Sequence, residues 1–249
     1  MYRLYTRRLR RVLAGRVKPR HVAMIIDGNR RWARQLGIQD AAHGHRAGAA
    51  KMIEFLNWCD REGVEVVTLY LLSTDNLRGR DARELTALVA IIERLARRIA
   101  ENERWRVKHV GASELLPDSL RRALEEVERA TADRRGLHVN LAVGYGGRTE
   151  IVHAMQRIVR AHAEQGGEAS ALADILSPDL IAEHLYTGGQ PDPDLVIRTS
   201  GEQRLSDFML WQSAHSEFYF VDALGPDLRE VDFLRALRDY AGRQRRYGQ

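Results

Sequence analysis

The chain has 249 residues, 44% of them hydrophobic, and its 39 Lys and Arg exceed its 34 Asp and Glu for a formal net charge of +5. This length and apolar content suffice for a sizeable core, while a single cysteine, Cys59, excludes an internal disulfide and fits a reducing cytoplasm. No apolar run reaches the ~18 residues of a membrane span, and the basic charge leaves nucleic acid, an anionic membrane surface and phosphate-bearing molecules as partners.

The first 20 residues predict a basic amphipathic helix. Apolar side chains recur at helical spacing between Tyr2 and Leu13, with arginines among them. Two roles fit such a helix: peripheral contact with a membrane surface, or packing of its apolar stripe on the body of the protein. The stretch lacks the uninterrupted apolar core of a signal peptide. We take residues 1–20 as this helix and residues 21–249 as a single domain.

A buried strand is predicted at residues 22–27 and leads directly into a turn and a helix. The apolar run ends at Asp27, and Gly28 permits a tight turn. Helix amino termini attract anions, and Arg30 and Arg31 add charge-assisted donors. The Asp27 carboxylate is suited to holding a divalent cation against the same phosphates. The segment therefore predicts a metal and phosphate site, although a plain Asp-Gly turn has the same pattern.

Strand patterns then alternate with longer helical patterns along the chain. This alternation predicts an α/β fold with a central, mostly parallel sheet flanked by helices on both sides. Ligands of such sheets bind at the carboxyl ends of the strands, where the polar motifs of this chain fall. The predicted strands are 22–27, 64–72, 107–110, 138–143, 195–198 and 218–221, and the predicted helices are 44–62, 82–103, 115–132, 148–164 and 230–245.

The fifth predicted strand ends in a second polar loop. Arg198 ends the strand, and Arg204 and Ser206 follow on a glycine-containing loop. Three donors of this kind suit one diphosphate, although a solvated arginine-rich loop is the plainer interpretation. Neither a P-loop nor a G-x-G-x-x-G fingerprint occurs, which disfavours nucleotide chemistry.

Taken together, these segments resemble the cis-prenyltransferases, also called the undecaprenyl diphosphate synthase family. The likeness covers nearly the whole chain from about residue 20 and follows the order of the family's motifs. The matching segments are 21–34, 44–48, 68–76, 143–148, 194–211 and 216–220.

The resemblance implies an enzyme of isoprenoid biosynthesis with an apolar tunnel for the growing chain. In this family an allylic diphosphate loses its diphosphate while C4 of isopentenyl diphosphate attacks its C1, and a proton then leaves C2 to form a cis double bond. The implied cofactor is Mg²⁺, which with positive donors stabilises the departing charge. The implied partners are isopentenyl diphosphate, an allylic diphosphate and a second copy of the chain in a homodimer, with no nucleic acid.

The resemblance also assigns roles to individual residues. Asp27 is the implied metal ligand, with Glu217 as a second metal carboxylate contributed across the dimer interface. Because a neutral amide is a poor base, we expect Asn76 to position substrate, while the proton leaves to a phosphate oxygen or through Asp27 and Ser73. The implied catalytic residues are Asp27, Ser73 and Asn76, and the implied substrate-binding residues are Gly28, Asn29, Arg30, Arg31, Trp32, His45, Tyr70, Leu71, Thr74, Asp75, Leu77, Arg80, Arg198, Arg204, Leu205 and Ser206.

Several positions depart from the family's pattern. Ala41 stands where many long-chain members have an arginine, Asp75 replaces the usual glutamate, and Leu77 replaces the usual tryptophan. The loop after Leu77 cannot be aligned uniquely, so the family arginine is Arg78 or Arg80, of which we choose Arg80.

Leu71 carries the prediction of product length. Long-chain members have a small residue immediately after the position of Tyr70, whereas short-chain members have leucine there. Forcing a longer chain past this leucine imposes an overpacking cost of ~1–3 kcal/mol. We therefore predict a fifteen-carbon product, as in the short-chain (Z)-farnesyl diphosphate synthases. The alternatives are a long-chain polyprenyl diphosphate synthase, an irregular head-to-middle coupling enzyme, and a non-catalytic prenyltransferase subunit, which the retained metal and phosphate residues disfavour.

Overall fold

The computed structural model describes residues 2–243, and its centre is one parallel sheet. The strand order is β3-β4-β2-β1-β5-β6, and every neighbouring pair is parallel. The α/β class and the parallel sheet predicted from the sequence are confirmed. The strands are β1 (His21–Ile25), β2 (Val66–Ser73), β3 (Arg106–Val110), β4 (His138–Tyr145), β5 (Leu195–Arg198) and β6 (Glu217–Phe220).

The five long helices predicted from the sequence are all present, with shifted ends. The first begins at Ala41 because the Asp40 carboxylate accepts a hydrogen bond from the Ala42 N–H at 2.9 Å and caps the helix. The last ends at Gly242, and residues 244–245 of its predicted range lie outside the described residues. The helices are α1 (Tyr2–Leu13), α2 (Asn29–Gln35), α3 (Ala41–Glu62), α4 (Thr74–Gly79), α5 (Ala82–Ala100), α6 (Asp118–Thr131), α7 (Gly147–Glu164), α8 (Ala169–Ile175), α9 (Pro178–Glu183) and α10 (Glu230–Gly242).

The two faces of the sheet bury different cores. Because side chains alternate along a strand, Val22 and Met24 of β1 join a large apolar cluster with residues of α1, α3, α5, α6 and α10. Ala23 and Ile25 point the other way, into a smaller cluster that includes Tyr145 and Phe208. Helices therefore close the large cluster, whereas the smaller cluster is closed by loop residues such as Phe208 and Met209, which follow β5.

Helix α1 packs on the body of the protein. Leu9 and Leu13 are buried in the large cluster, and Arg10 pairs with Glu62 at 3.3 Å and with Glu230 of α10. The opposite side of α1 is exposed, including Leu4 at 69%. Within the described part of the chain, no helix combines the length and the apolar character needed to cross a membrane.

Candidate active site

A cavity of about 660 Å³ opens at the carboxyl ends of β1, β2 and β5. One part of its wall is charged and polar, and the other part is apolar and comes from α3 and α5. The residues predicted for the site that line this cavity are Asp27, Gly28, Asn29, Arg30, Arg31, His45, Tyr70, Leu71, Ser73, Asp75, Asn76, Arg80, Arg198, Arg204 and Ser206.

Asp27 and Arg198 form an ion pair at the polar end of the cavity. They follow or end neighbouring strands, so the sheet places the Asp27 Oδ2 atom 2.8 Å from the Arg198 Nη2 atom. The Gly28 N–H donates to the other carboxylate oxygen at 2.6 Å. Burial raises the pKa of Asp27, but these hydrogen bonds and the charges of Arg198 and Arg31 outweigh it, and the net pKa lies below the ordinary value. Asp27 is therefore ionised at neutral pH.

Arg198 also holds the loop that follows β5. Its side chain is 4% exposed, and its Nη1 atom donates to the Ser206 hydroxyl at 2.7 Å and to the Arg204 carbonyl. The Tyr70 hydroxyl donates to the Ser206 carbonyl at 3.2 Å. Asp27, Arg198 and Ser206, which the sequence analysis predicted separately, thus belong to one hydrogen-bonded group.

The turn after Asp27 depends on close backbone approaches. Gly28 has a φ of +91°, and a Cβ there would lie 2.7 Å from a methyl carbon of Leu224. A Cβ on Gly48 of α3 would lie 2.4 Å from the Asn29 Oδ1 atom. That buried oxygen has no hydrogen-bond partner among the described residues. Because Gly28 and Gly48 lack side chains, the backbone can come close enough to hold the unpaired Asn29 Oδ1 atom in the turn that follows Asp27.

The oxygen ligands of this turn fit Mg²⁺. Among the described residues, no three His, Cys, Asp or Glu side chains come together as a metal site. Mg²⁺, however, is commonly bound by one or two carboxylates together with substrate phosphates and water. The half-buried Asp27 carboxylate matches that donor chemistry, and the buried Asn29 amide oxygen lies in the same turn.

A second carboxylate, Glu84, gathers three basic side chains at the rim of the cavity. Its Oε1 atom lies 3.2 Å from His45 Nε2 and is paired with Arg80, and its Oε2 atom lies 4.0 Å from Arg30. Burial and the Arg80 charge lower the pKa of His45 against the opposing hydrogen bond to Glu84, so the imidazole is neutral at pH 7. Sequence reasoning missed Glu84, although its spacing of four residues from Arg80 is a typical helical ion-pair signal.

Glu202 has a similar position on the other side of the cavity. It lies 3.4 Å from Arg31 and is also paired with Arg204. It therefore links α2 with the loop after β5. Arg34, one helical turn beyond Arg31, lines the cavity as well. Neither Glu202 nor Arg34 was predicted, because no local pattern separates them from other charged surface residues.

The apolar end of the cavity consists mainly of helix side chains. Leu71 of β2 lies there with Met52 of α3 and with Leu88, Ile91 and Leu95 of α5. The α5 residues recur at helical spacing, which is the one signal in the sequence that indicates a shared face. Which cavity that face covers depends on the packing of α3 against α5.

Several residues predicted for substrate binding do not line the cavity. Trp32 donates from Nε1 to Asp227 at 2.9 Å and stacks on His43 at 5.8 Å. Thr74 is buried at the start of α4. Leu77 packs on the large apolar cluster, and Leu205 packs on the smaller one. These four side chains therefore contact other parts of the protein rather than the cavity.

Glu217 is far from Asp27 within one chain. It begins β6 beside Leu195, the first residue of β5, whereas Asp27 follows the carboxyl end of β1. Its carboxylate is paired with Arg243. The predicted metal role of Glu217 therefore requires a second copy of the chain.

The family model described as "Putative undecaprenyl diphosphate synthase" matches residues 25–248. The (2Z,6E)-farnesyl diphosphate synthase of Thermobifida fusca is 56% identical over 100% of this chain and 97% of that protein. Isoprenyl transferase 1 of Streptomyces avermitilis is 54% identical over 100% and 96%. The crystal structure of lavandulyl diphosphate synthase from Lavandula x intermedia with dimethylallyl diphosphate has a TM-score of 0.86 and 35% identity, covering 93% of this chain and 99% of that one.

Proposed function

Because the chain belongs to the undecaprenyl diphosphate synthase family and is a prenyltransferase, we propose that it condenses isopentenyl diphosphate with a short allylic diphosphate and stops at a fifteen-carbon Z-prenyl diphosphate. The observation that carries the product length is Leu71, whose side chain lines the apolar end of the cavity. A named (2Z,6E)-farnesyl diphosphate synthase that is 56% identical over the whole chain supports the same length.

We assign the two diphosphates to the two arginine groups of the polar wall. The allylic diphosphate lies at the amino terminus of α2, where Arg30 and Arg31 face the cavity. Isopentenyl diphosphate lies against Arg198, Arg204 and Ser206. On binding, each phosphate replaces a carboxylate that now neutralises these arginines, Glu84 on one side and Glu202 on the other. The arginine side chains, already held in place, then stabilise the negative charge that develops on the leaving diphosphate.

Asp27 is the residue that would hold Mg²⁺. When bound, the ion neutralises part of the diphosphate charge. The chain's own contribution is a carboxylate that is already ionised and already oriented by Arg198 and the Gly28 N–H. Asn29 adds a buried oxygen without a donor of its own.

Ser73 and Asn76 position the reacting carbons. The Ser73 hydroxyl oxygen accepts the Asn76 backbone N–H at 3.0 Å and caps α4, so both residues are held at the start of this helix. The neighbouring Tyr70 is no base, because burial raises the pKa of its hydroxyl further above the ordinary value. We therefore assign the departing proton to a phosphate oxygen or to the Asp27 and Ser73 pair.

The test is a product-length assay with purified protein, Mg²⁺, labelled isopentenyl diphosphate and separate dimethylallyl, geranyl or farnesyl diphosphate primers. Chromatography and mass spectrometry should show a cis product that stops at fifteen carbons from the dimethylallyl or geranyl primer, and no elongation of the farnesyl primer, which already has fifteen carbons. Products of fifty or more carbons would contradict the short-chain assignment, and a branched product would indicate head-to-middle coupling. No turnover with any primer would point to a non-catalytic subunit.

We also propose that the enzyme is a homodimer in which Glu217 completes the partner's site. Strand β6 is an edge of the sheet, and its Phe218 and Phe220 rings stack at 6.4 Å with Phe220 exposed, which supports an interface there. Mixing an Asp27→Ala chain with a Glu217→Ala chain should restore activity, because one site of the mixed dimer is then intact. If Glu217 acted within its own chain, no site would be restored.

The outer side of α1 supports a proposal of peripheral membrane contact from the cytoplasm. Arg7, Arg8 and Arg11 are exposed there beside Leu4 and Val12. Flotation with anionic vesicles, but not with neutral ones, is the expected result. Recovery of the protein only in the vesicle-free fraction would contradict it.

A further inference from the structure

A second groove lies on the solvent-facing side of α3 and α5. Its volume is about 210 Å³, and its floor is apolar: Ala49, Ala50 and Ile53 come from α3, and Ile91 and Leu95 come from α5. For scale, an apolar cavity of ~150 Å³ accepts a benzene-sized molecule. The groove therefore has space for a short piece of hydrocarbon.

The groove and the catalytic cavity share part of their walls. Ala49, Ile91 and Leu95 line both spaces. Ile91 and Leu95 are each 5% exposed, so they are buried between the two. A single layer of side chains thus separates the apolar end of the cavity from the groove.

Three exposed arginines, Arg46, Arg94 and Arg98, stand around this apolar floor. Arg46 is bonded to Asp40 at 3.2 Å, and Arg98 is paired with Glu101. The stems of the arginines contribute apolar lining, while their charged head groups can stay in solvent. Continuity with a cavity that we assign to prenyl chains makes hydrocarbon the matching ligand.

We propose that the groove is a second hydrocarbon site, which takes the far end of a prenyl chain once the layer formed by Ile91 and Leu95 is opened. These two residues then limit product length together with Leu71. The Ile91 and Leu95 side chains separate the catalytic cavity, which the prenyl chain occupies, from the apolar floor of the groove. Replacing them with alanine removes this barrier and joins the cavity to the groove. This inference rests on the proposed prenyl-elongating function.

The test compares three variants with geranyl diphosphate, which has ten carbons, as primer. Ile91→Ala/Leu95→Ala should raise the share of products of twenty or more carbons at least tenfold. Adding Ile53→Trp, which fills the groove from outside, should return the products to the length made by the unmodified enzyme. Ile99→Ala is the matched control, because Ile99 is fully buried on the same helix and lines neither space. Thermal melting shows whether each variant is folded. If the double variant does not fold, the single variant Leu95→Ala takes its place in the comparison.

Two outcomes overturn the inference. A folded double variant that still stops at the unmodified enzyme's product length shows that Ile91 and Leu95 are no barrier. Longer products that persist after Ile53→Trp show that the chain end goes elsewhere. Failure of the unmodified enzyme to elongate any primer contradicts the proposed function instead, so the two failures are distinguishable.

Discussion

The two ends of the central sheet use polar side chains in opposite ways. At the carboxyl end, Asp27 and Arg198 are charged and line a cavity. In the amino-terminal half, His21, Thr68 and Asn140 are fully buried with no exposed surface. Burial lowers the pKa of His21 to about 4, so this histidine is neutral at pH 7. The charged side chains therefore lie at the cavity, where a ligand can contact them, whereas the polar side chains that are surrounded only by protein are uncharged.

The buried polar side chains in the amino-terminal half of the sheet are hydrogen-bonded to one another and to neighbouring protein groups. His21 Nδ1 donates to the Pro191 carbonyl at 2.7 Å, and its Nε2 atom lies 2.8 Å from the Thr68 hydroxyl. Asn140 donates to Thr68 at 3.0 Å and to Gln190 at 2.7 Å. We expect variants at the carboxyl end to lower turnover, and variants in this network to change the pH dependence of stability without changing turnover at neutral pH.

Replacing Asp27 should have the largest effect on turnover. Asp27→Asn retains the size of the side chain but removes the charge, so we expect kcat to fall by about 10²–10³-fold. The free energy of unfolding should fall by ~1–3 kcal/mol, because Arg198 loses its counter-ion. Steady-state kinetics and urea unfolding measure the two effects. Turnover within threefold of the unmodified enzyme would remove Asp27 from the mechanism.

Arg198 is next in the expected order. Lysine cannot bond Asp27 and Ser206 at the same time, so Arg198→Lys should raise the KM for isopentenyl diphosphate by about 10–100-fold. Arg204→Lys is the matched control: its side chain is 59% exposed, and the increase should be under about tenfold. Equal effects of the two substitutions would contradict a special role for the buried arginine.

Glu84 should have a moderate effect with a distinctive pH signature. Glu84→Gln removes the anion beside Arg30 and Arg80. We expect the KM for the allylic diphosphate to fall by up to about tenfold, because the diphosphate no longer has to displace this carboxylate. The Glu84 interactions raise the pKa of His45, so their loss should lower that pKa and move any His45-dependent limb of the pH–rate profile to lower pH. The exposed Glu101→Gln is the control. An unchanged profile with an unchanged KM would leave Glu84 without a positioning role.

Leu71 should affect product length more than rate. Leu71→Ala enlarges the apolar end of the cavity, so the product distribution should shift beyond fifteen carbons while kcat changes only a few-fold. Leu69→Ala is the matched control, because Leu69 is buried in the same strand and does not line the cavity. Mass spectrometry of the products measures this shift. If both variants make longer products, Leu71 has no specific role in setting product length.

His21 should have the smallest effect on turnover. Its pKa of about 4 in the folded chain lies below the ordinary value of 6.5, so the unfolded chain binds more protons between these values. Stability should therefore fall as pH drops from about 6.5 to about 4, by up to ~3 kcal/mol. His21→Asn should flatten this dependence in urea unfolding, leaving a slope from His138, whose pKa is also about 4. Turnover at pH 7.5 should match that of the unmodified enzyme.

The sequence by itself determined the strands, the long helices and the strand-to-turn motif at Asp27. These features depend on local causes: the period of apolar residues, a glycine at positive φ, and charged residues directly after an apolar run. Helices α4, α8 and α9 were not predicted, because helices of six or seven residues are too short to show a period. The sequence predicted a helix after the Asp27 turn but not its start, because the residues from Asn29 to Arg31 are all polar and carry no apolar period.

Only the tertiary structure decided which distant residues meet. Arg80, rather than Arg78, lines the cavity because Glu84 and His45 hold it there. Glu202 joins two loops that are far apart in sequence, and the layer between cavity and groove forms where α3 packs on α5. Glu217 and Asp27 are separated by the length of the sheet. Local patterns record the preferences of each segment, but these contacts depend on strand order and helix packing, which arise from the burial of the whole chain.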